Sequence, residues 1–238
     1  MHQLVKRTSV GEAAIDKSEA DEDSLSGRVL FIDGEAMVID KPAGLPVDAP
    51  RRGGDNVQAR VQELRFGFRS SPTAMHRLDQ DTSGCLLLAR NARARAALQQ
   101  TFEARLVEKY YLAVVAAEIA ASEGVIDLPL AKRSSAEAGW RMVADPQGQE
   151  ALTRWRRVAV REGRSLVEFR PLTGRTHQIR VHAREAFATG IVGDRVYGVP
   201  GGQMLLHAVR LVVPRANKAT IDVTAPLPER FGEWRDEA

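Results

Sequence analysis

The 238-residue chain holds one cysteine, Cys85. That excludes an intrachain disulfide and a thiolate metal cluster, and Cys85 itself reads as a small buried hydrophobe. No apolar run approaches the roughly 20 residues needed to cross a bilayer. The N-terminus has no apolar signal core, so an intracellular, cytoplasmic protein is expected. No Walker or dinucleotide phosphate fingerprint occurs. His76, His177, His182 and His207 are scattered along the chain, and His177 and His182, five apart, would not share a helix face well. Nothing here demands a metal or an organic cofactor, and the expectation is that none is used. Internal repeats and low-complexity tracts are absent as well.

What the chain does have is apolar material and a lopsided charge. Hydrophobic residues make up 44% of it, enough for a sizeable core. The net charge of +3 is uneven: residues 1–24 carry three cations and six acids, leaving 31 cations and 25 acids in the rest. A basic body suits a polyanionic partner. Residues 1–25 are polar, acidic and aperiodic, so they are expected to form a disordered tail. Residues 26–238 are expected to form a single domain, and a monomer is expected.

The elements follow from periodicity and turn chemistry. Residues 28–32 and 36–39 are apolar runs around Asp33-Gly34, a hairpin signal. Residues 41–50 form a loop rich in proline and glycine. Val57, Val61 and Leu64 mark a helix over 55–65. Arg51, Arg52, Arg60, Arg65 and Arg69 surround it, as a solvated basic face or as an RNA contact. A helix is expected over 92–104. Strands are expected at 107–116, 124–129, 151–160, 165–170, 205–213 and 220–224. Thr176 can cap a helix reaching Phe187, and residues 226–234 suit a terminal helix. Short strands at irregular spacing, several without intervening helices, imply an α+β domain with a mainly antiparallel sheet.

The most informative stretch runs from His76 to Ala89, HRLDQDTSGCLLLA. It reads as a polar loop entering a strand buried on both faces. The loop residues Asp79, Asp81, Thr82 and Ser83 admit two readings. They are turn and cap formers, and they also put a carboxylate at the lip of a rigid apolar strand, where a reactive group is well positioned.

That stretch resembles the signature loop of the RluA-type pseudouridine synthases. Further blocks occur in the family's order: Lys41 to Val47 (KPAGLPV), Glu108 to Ala113 (EKYYLA) and Thr173 to His182 (TGRTHQIRVH). Gly193 to Gly198 and Leu206 to Ala208 are weaker matches. Cys85 and Ile179 stand where the family usually has leucine, both apolar changes. The resemblance implies an enzyme that acts on structured RNA, such as a transfer RNA or large-subunit ribosomal RNA stem-loop.

For the reaction, the resemblance implies Asp79 as nucleophile, Arg175 as the cation beside it and Tyr111 against the base. A carboxylate can form a covalent intermediate and leave again. A guanidinium can keep it ionised, although Arg175 also suits phosphate binding at a helix start. Tyr111 can stack on uracil and take the C5 proton, or simply pack in a strand. Ile179 is placed to press on the other face of the base. Arg77, two residues before Asp79, suits either filling the gap left by an extruded base or binding phosphate. His76, Lys41 and His177 complete the expected substrate contacts. Two rival readings remain: a catalytically inactive RNA-binding protein of the same fold, and a glycosidase-like hydrolase using Asp79 with Asp81.

Overall fold

In the computed structural model, which describes residues 24–50, 53–135 and 139–237, the expected hairpin forms. β1 (Val29–Ile32) pairs antiparallel with β2 (Ala36–Lys41). Asp33 closes the turn, its Oδ1 accepting from the N–H groups of Glu35 and Ala36 at 2.8 Å each. Asn56 caps the short α1 (Val57–Arg60) by accepting from Ala59 N–H, and one 3₁₀ turn continues it to Leu64. β3 (Thr73–Ala74) and β4 (Ser83–Ala89) follow; every residue of β4 is buried. α2 spans Ala92–Glu103, capped by Asn91.

The remaining strands are β5 (Glu108–Val115), β6 (Glu123–Asp127), β7 (Leu130–Ser135), β8 (Gly139–Ala144), β9 (Leu152–Arg161), β10 (Arg164–Pro171), β11 (Leu206–Val213) and β12 (Ile221–Thr224). α3 (Gln178–Phe187) lies between β10 and β11. Among the described residues, ten strands join in one sheet with the path β1-β2-β4-β11-β5-β10-β9-β6; β12 lies beside β11 and β3 beside β4. All pairings are antiparallel except β4 with β11, which accords with the expected α+β class. Gly84 makes that parallel contact possible: its φ is +107°, and a Cβ there would lie 2.3 Å from the carbonyl oxygen of Ala208. An L-residue would meet both backbone strain and a clash.

The sheet buries both faces. On one, Met37, Ile39, Leu86, Leu88, Tyr111, Val167 and Phe169 pack with Ile179 and Ala183 of α3. On the other, Val38, Cys85, Leu87 and Leu211 pack with Leu98 of α2. Cys85 is thus the buried hydrophobe expected, and burial pushes its thiol up to about 12.

Several expectations are corrected. β7 and β8 form a separate two-stranded sheet that the sequence pattern does not announce, because few of their side chains are buried and no alternation develops. Thr176 is not the cap of α3: His177 holds that place in a left-handed conformation, without a side-chain cap bond. The terminal segment Glu229–Glu237 is 3₁₀ helix broken at Gly232. Leu25, assigned by composition to the tail, is fully buried in the core. Its N–H donates to Glu63 Oε2 at 2.9 Å. Residues 1–23 of the tail and the basic pair Arg51 and Arg52 lie outside the described residues. Among the described residues no helix is long and apolar enough to cross a membrane.

Candidate active site

The tight turn ahead of β4, closed by Thr82 N–H donating to Asp79 O at 3.1 Å, sets Asp79 at the edge of a cavity of about 560 Å³. The Asp79 side chain is 24% exposed. Tyr111 of β5 and Ile179 of α3 line the same cavity, so turn, strand and helix each supply one wall. Burial first, then the charge of Asp79, pushes the Tyr111 phenol well above its ordinary range.

The cation on Asp79 is Arg180, not Arg175. Arg180 Nη1 donates to Asp79 Oδ2 at 3.0 Å. Its other face forks onto Asp194, Nε to Oδ2 at 2.7 Å and Nη2 to Oδ1 at 2.9 Å. Asp194 is fully buried and also accepts from the N–H groups of Val196 and Tyr197. Burial works against its ionisation, yet the Arg180 bonds and charge prevail and hold its carboxyl below the ordinary value. Burial likewise opposes the charge on Arg180, and the two carboxylates outweigh it, raising that guanidinium above its usual range. Arg175 precedes the helix, where its side chain turns outward and Nε donates to the carbonyl of Glu150 at 2.9 Å. It lines the cavity without touching Asp79.

Gln178 explains why α3 starts where it does. Its Oε1 accepts from Thr173 Oγ1 at 2.8 Å and Arg175 N–H at 2.9 Å, while Nε2 donates to Leu152 O and Thr153 Oγ1. This buried side chain therefore ties the β10–α3 turn to β9. One residue earlier, His177 stands 3.9 Å from Asp79 Oδ2 through Nε2. Its ring stacks on Trp140 of β8, centroids 5.3 Å apart, and its Nδ1 meets the Tyr197 hydroxyl at 2.8 Å. Burial lowers its pKa, against the pull of Asp79.

The other expected contacts divide. Arg77 is at the rim, 67% exposed, with Nη1 3.3 Å from Asp48. His76 lines the cavity but accepts from Leu87 N–H through Nε2 at 3.1 Å, which demands a neutral ring there; burial takes its pKa down to about 3. Lys41 is not a cavity residue. It is fully buried, and Nζ donates to the carbonyls of Pro42, Leu45 and Gln80 at 2.7, 2.7 and 3.1 Å. It thereby ties two loops together one residue from Asp79. Burial takes its pKa down to about 7, against the pull of Asp81 and Asp79.

Asp194, Tyr197 and Trp140 were given no role from the sequence. The block Gly193 to Gly198 held the only available signal, a carboxylate next to a glycine in a matched motif. Among the described residues, no group of three or more His, Cys, Asp or Glu is placed to hold a metal ion.

Comparison with known proteins gives the family. Residues 35–185 match the family model described as RNA pseudouridylate synthase. An uncharacterised RNA pseudouridine synthase of Zymomonas mobilis is 50% identical over 211 residues, covering 87% of this chain and 96% of that one. Ribosomal large subunit pseudouridine synthase D of the same organism is 34% identical over 177 residues, covering 71% of this chain and 55% of that one. The solved structure of human RNA pseudouridylate synthase domain containing 4 superposes with a TM-score of 0.73 at 26% identity, covering 87% of this chain and 91% of the other.

Proposed function

The chain belongs to the RNA pseudouridylate synthase family, and from that premise we propose that it isomerises a specific uridine in a transfer RNA or large-subunit ribosomal RNA stem-loop, with Asp79 as the nucleophile. The observation that carries the reading is the Asp79–Arg180 contact in a cavity shared with Tyr111 and Ile179.

In the proposed reaction the bond between N1 and C1′ of the uridine breaks, the uracil turns, C5 bonds to C1′ and the C5 proton leaves. Asp79 attacks as a carboxylate and later departs as one, the logic of a retaining glycosidase. Arg180 donates to that carboxylate, and its bidentate hold on Asp194 fixes the direction of the N–H turned toward Asp79. Tyr111 and Ile179 hold the uracil between them. Burial and the charge of Asp79 keep the Tyr111 phenol protonated, so it acts by stacking on the uracil, and the C5 proton passes to water after Asp79 has departed. Arg175 lies nearer the cavity mouth, where it meets the RNA backbone.

The arm of Arg180 that reaches past Asp194 to a carboxylate facing the cavity favours the catalytic reading over a non-catalytic copy of the fold. Mapping pseudouridine in RNA from cells with and without the protein tests the proposal and names the uridine. Asp79→Asn is expected to abolish that modification while RNA affinity stays near normal. Persistent modification by this variant would refute the nucleophile.

A further inference from the structure

Lys109 stands out once the other lysines among the described residues are accounted for. Lys41 is bound by three carbonyls, Lys132 lies over the Trp140 ring, and Lys218 faces Asp33 and Glu35. The ammonium of Lys109 makes no hydrogen bond or ion pair with any described residue. It is nevertheless partly buried, and burial lowers its pKa. A desolvated, unpaired cation is costly to keep, so an anion arriving there gains more than it would at an exposed lysine.

Its position says which anion. Lys109 is on β5, two residues before Tyr111, so both side chains leave the strand on the same face. It lines the cavity of Asp79 and also a second groove of about 620 Å³. Arg175 lines both as well, and its terminal nitrogens have no partner among the described residues. Arg105 and Arg170 continue along the groove, each already facing a carboxylate, Glu150 at 3.6 Å and Glu108 at 2.8 Å. Over the Lys109 ammonium lies Gly174, where a Cβ would come within 3.6 Å of Nζ. The glycine leaves the ammonium uncovered at the junction of the two hollows.

We propose that Lys109 seats a backbone phosphate of the RNA next to the target nucleotide, at the point where the strand passes from the Asp79 cavity into the neighbouring groove. The proposal rests on the reading of the cavity as the uridine site. With the base in the cavity, its backbone must leave by an open side, and this junction offers a free ammonium and a guanidinium. The same phosphate would hold the ribose in register with Asp79, so Lys109 contributes to binding and to positioning.

The test is the salt dependence of binding to a single-stranded oligouridylate for wild type, Lys109→Gln and Lys109→Arg. Each phosphate neutralised on a single strand contributes about 0.7 to the slope of log affinity against log salt. Lys109→Gln is expected to flatten the slope by about that amount and to bind several-fold more weakly at low salt. Lys109→Arg is expected to restore both. A Lys109→Gln protein with the wild-type slope overturns the proposal, whatever its affinity.

A second measurement needs no variant to fold. The Lys109 ammonium, followed by NMR in the wild-type protein, should rise in pKa when uridine 3′-monophosphate is added and stay put with uridine. An equal response to both ligands overturns the seat. Both readouts are independent of turnover: if no RNA is ever modified, the functional reading fails while the phosphate seat stands or falls on its own slope.

Discussion

Arg180 serves two carboxylates at once, and the two are not equivalent. Asp194 is fully buried and bidentate, whereas Asp79 takes a single hydrogen bond and faces the cavity. Asp194→Asn should therefore loosen the aim of Arg180, lowering turnover by about 10²-fold with RNA affinity unchanged. Breaking the buried pair should also cost about 3 kcal/mol of stability, read as a drop in denaturation midpoint. The folded-state pKa of Asp194 is depressed from 3.8, so its contribution is complete above that value and is lost as pH falls through the folded one. The acid limb of stability below pH 3.8 should be flatter in the variant. Arg77, exposed at the rim, poses a different question. If it fills the space of an extruded base, Arg77→Ala should slow a stacked stem-loop uridine much more than one in an unstructured RNA. Equal single-turnover losses on both would mark a backbone contact. That Asp79, Tyr111 and Ile179 share one cavity was legible because motif blocks name residues. The choice between Arg175 and Arg180 was not, since it depends on where the helix begins.

That helix start is decided by one side chain. Gln178 satisfies four polar groups across the turn and β9, and His177 accepts a left-handed backbone to let it do so. Gln178→Leu keeps the bulk and strands those partners. A loss of about 3 kcal/mol is expected from unsatisfied buried groups, with faster hydrogen exchange confined to residues 173–181. A melting temperature equal to wild type would show that water replaces the amide at little cost. Other elements were legible in the sequence because one rule governed each. The Asp33-Gly34 hairpin, β4 and α2 follow from turn chemistry, an unbroken apolar run and helical spacing. The β7–β8 hairpin obeys no such rule, yet it carries Trp140 onto His177; its course is set by contact with the site and not by its own burial.

At the scale of the whole molecule, the core of the described residues begins at Leu25. Removing residues 1–23 should leave the melting temperature unchanged, whereas Leu25→Ala should cost about 2–5 kcal/mol. Equal stability of the Leu25→Ala protein would mean the core closes without it. Burial also holds two histidines neutral, His76 near 3 and His207 near 4, against 6.5 unfolded. The unfolded chain then binds more protons below pH 6.5, so stability falls with acid, by about 1.4 kcal/mol per pH unit for each histidine. Urea midpoints between pH 7 and 4 should show this, and a flat profile would contradict it. The sheet path holds a last consequence. β11 lies between β4 and β5, so it alone in the sheet joins the strand that follows Asp79 to the strand that carries Tyr111. Its partners in β4 are about 124 positions away in the chain. Closing so long a loop is slow, and a nascent chain emerges from the ribosome with β1 to β10 already made and this gap unfilled. Asp79 and the strand that carries Tyr111 are brought together only when β11 is inserted, so a chain that stops before Leu206 is expected to hold the residues of the cavity without the cavity itself.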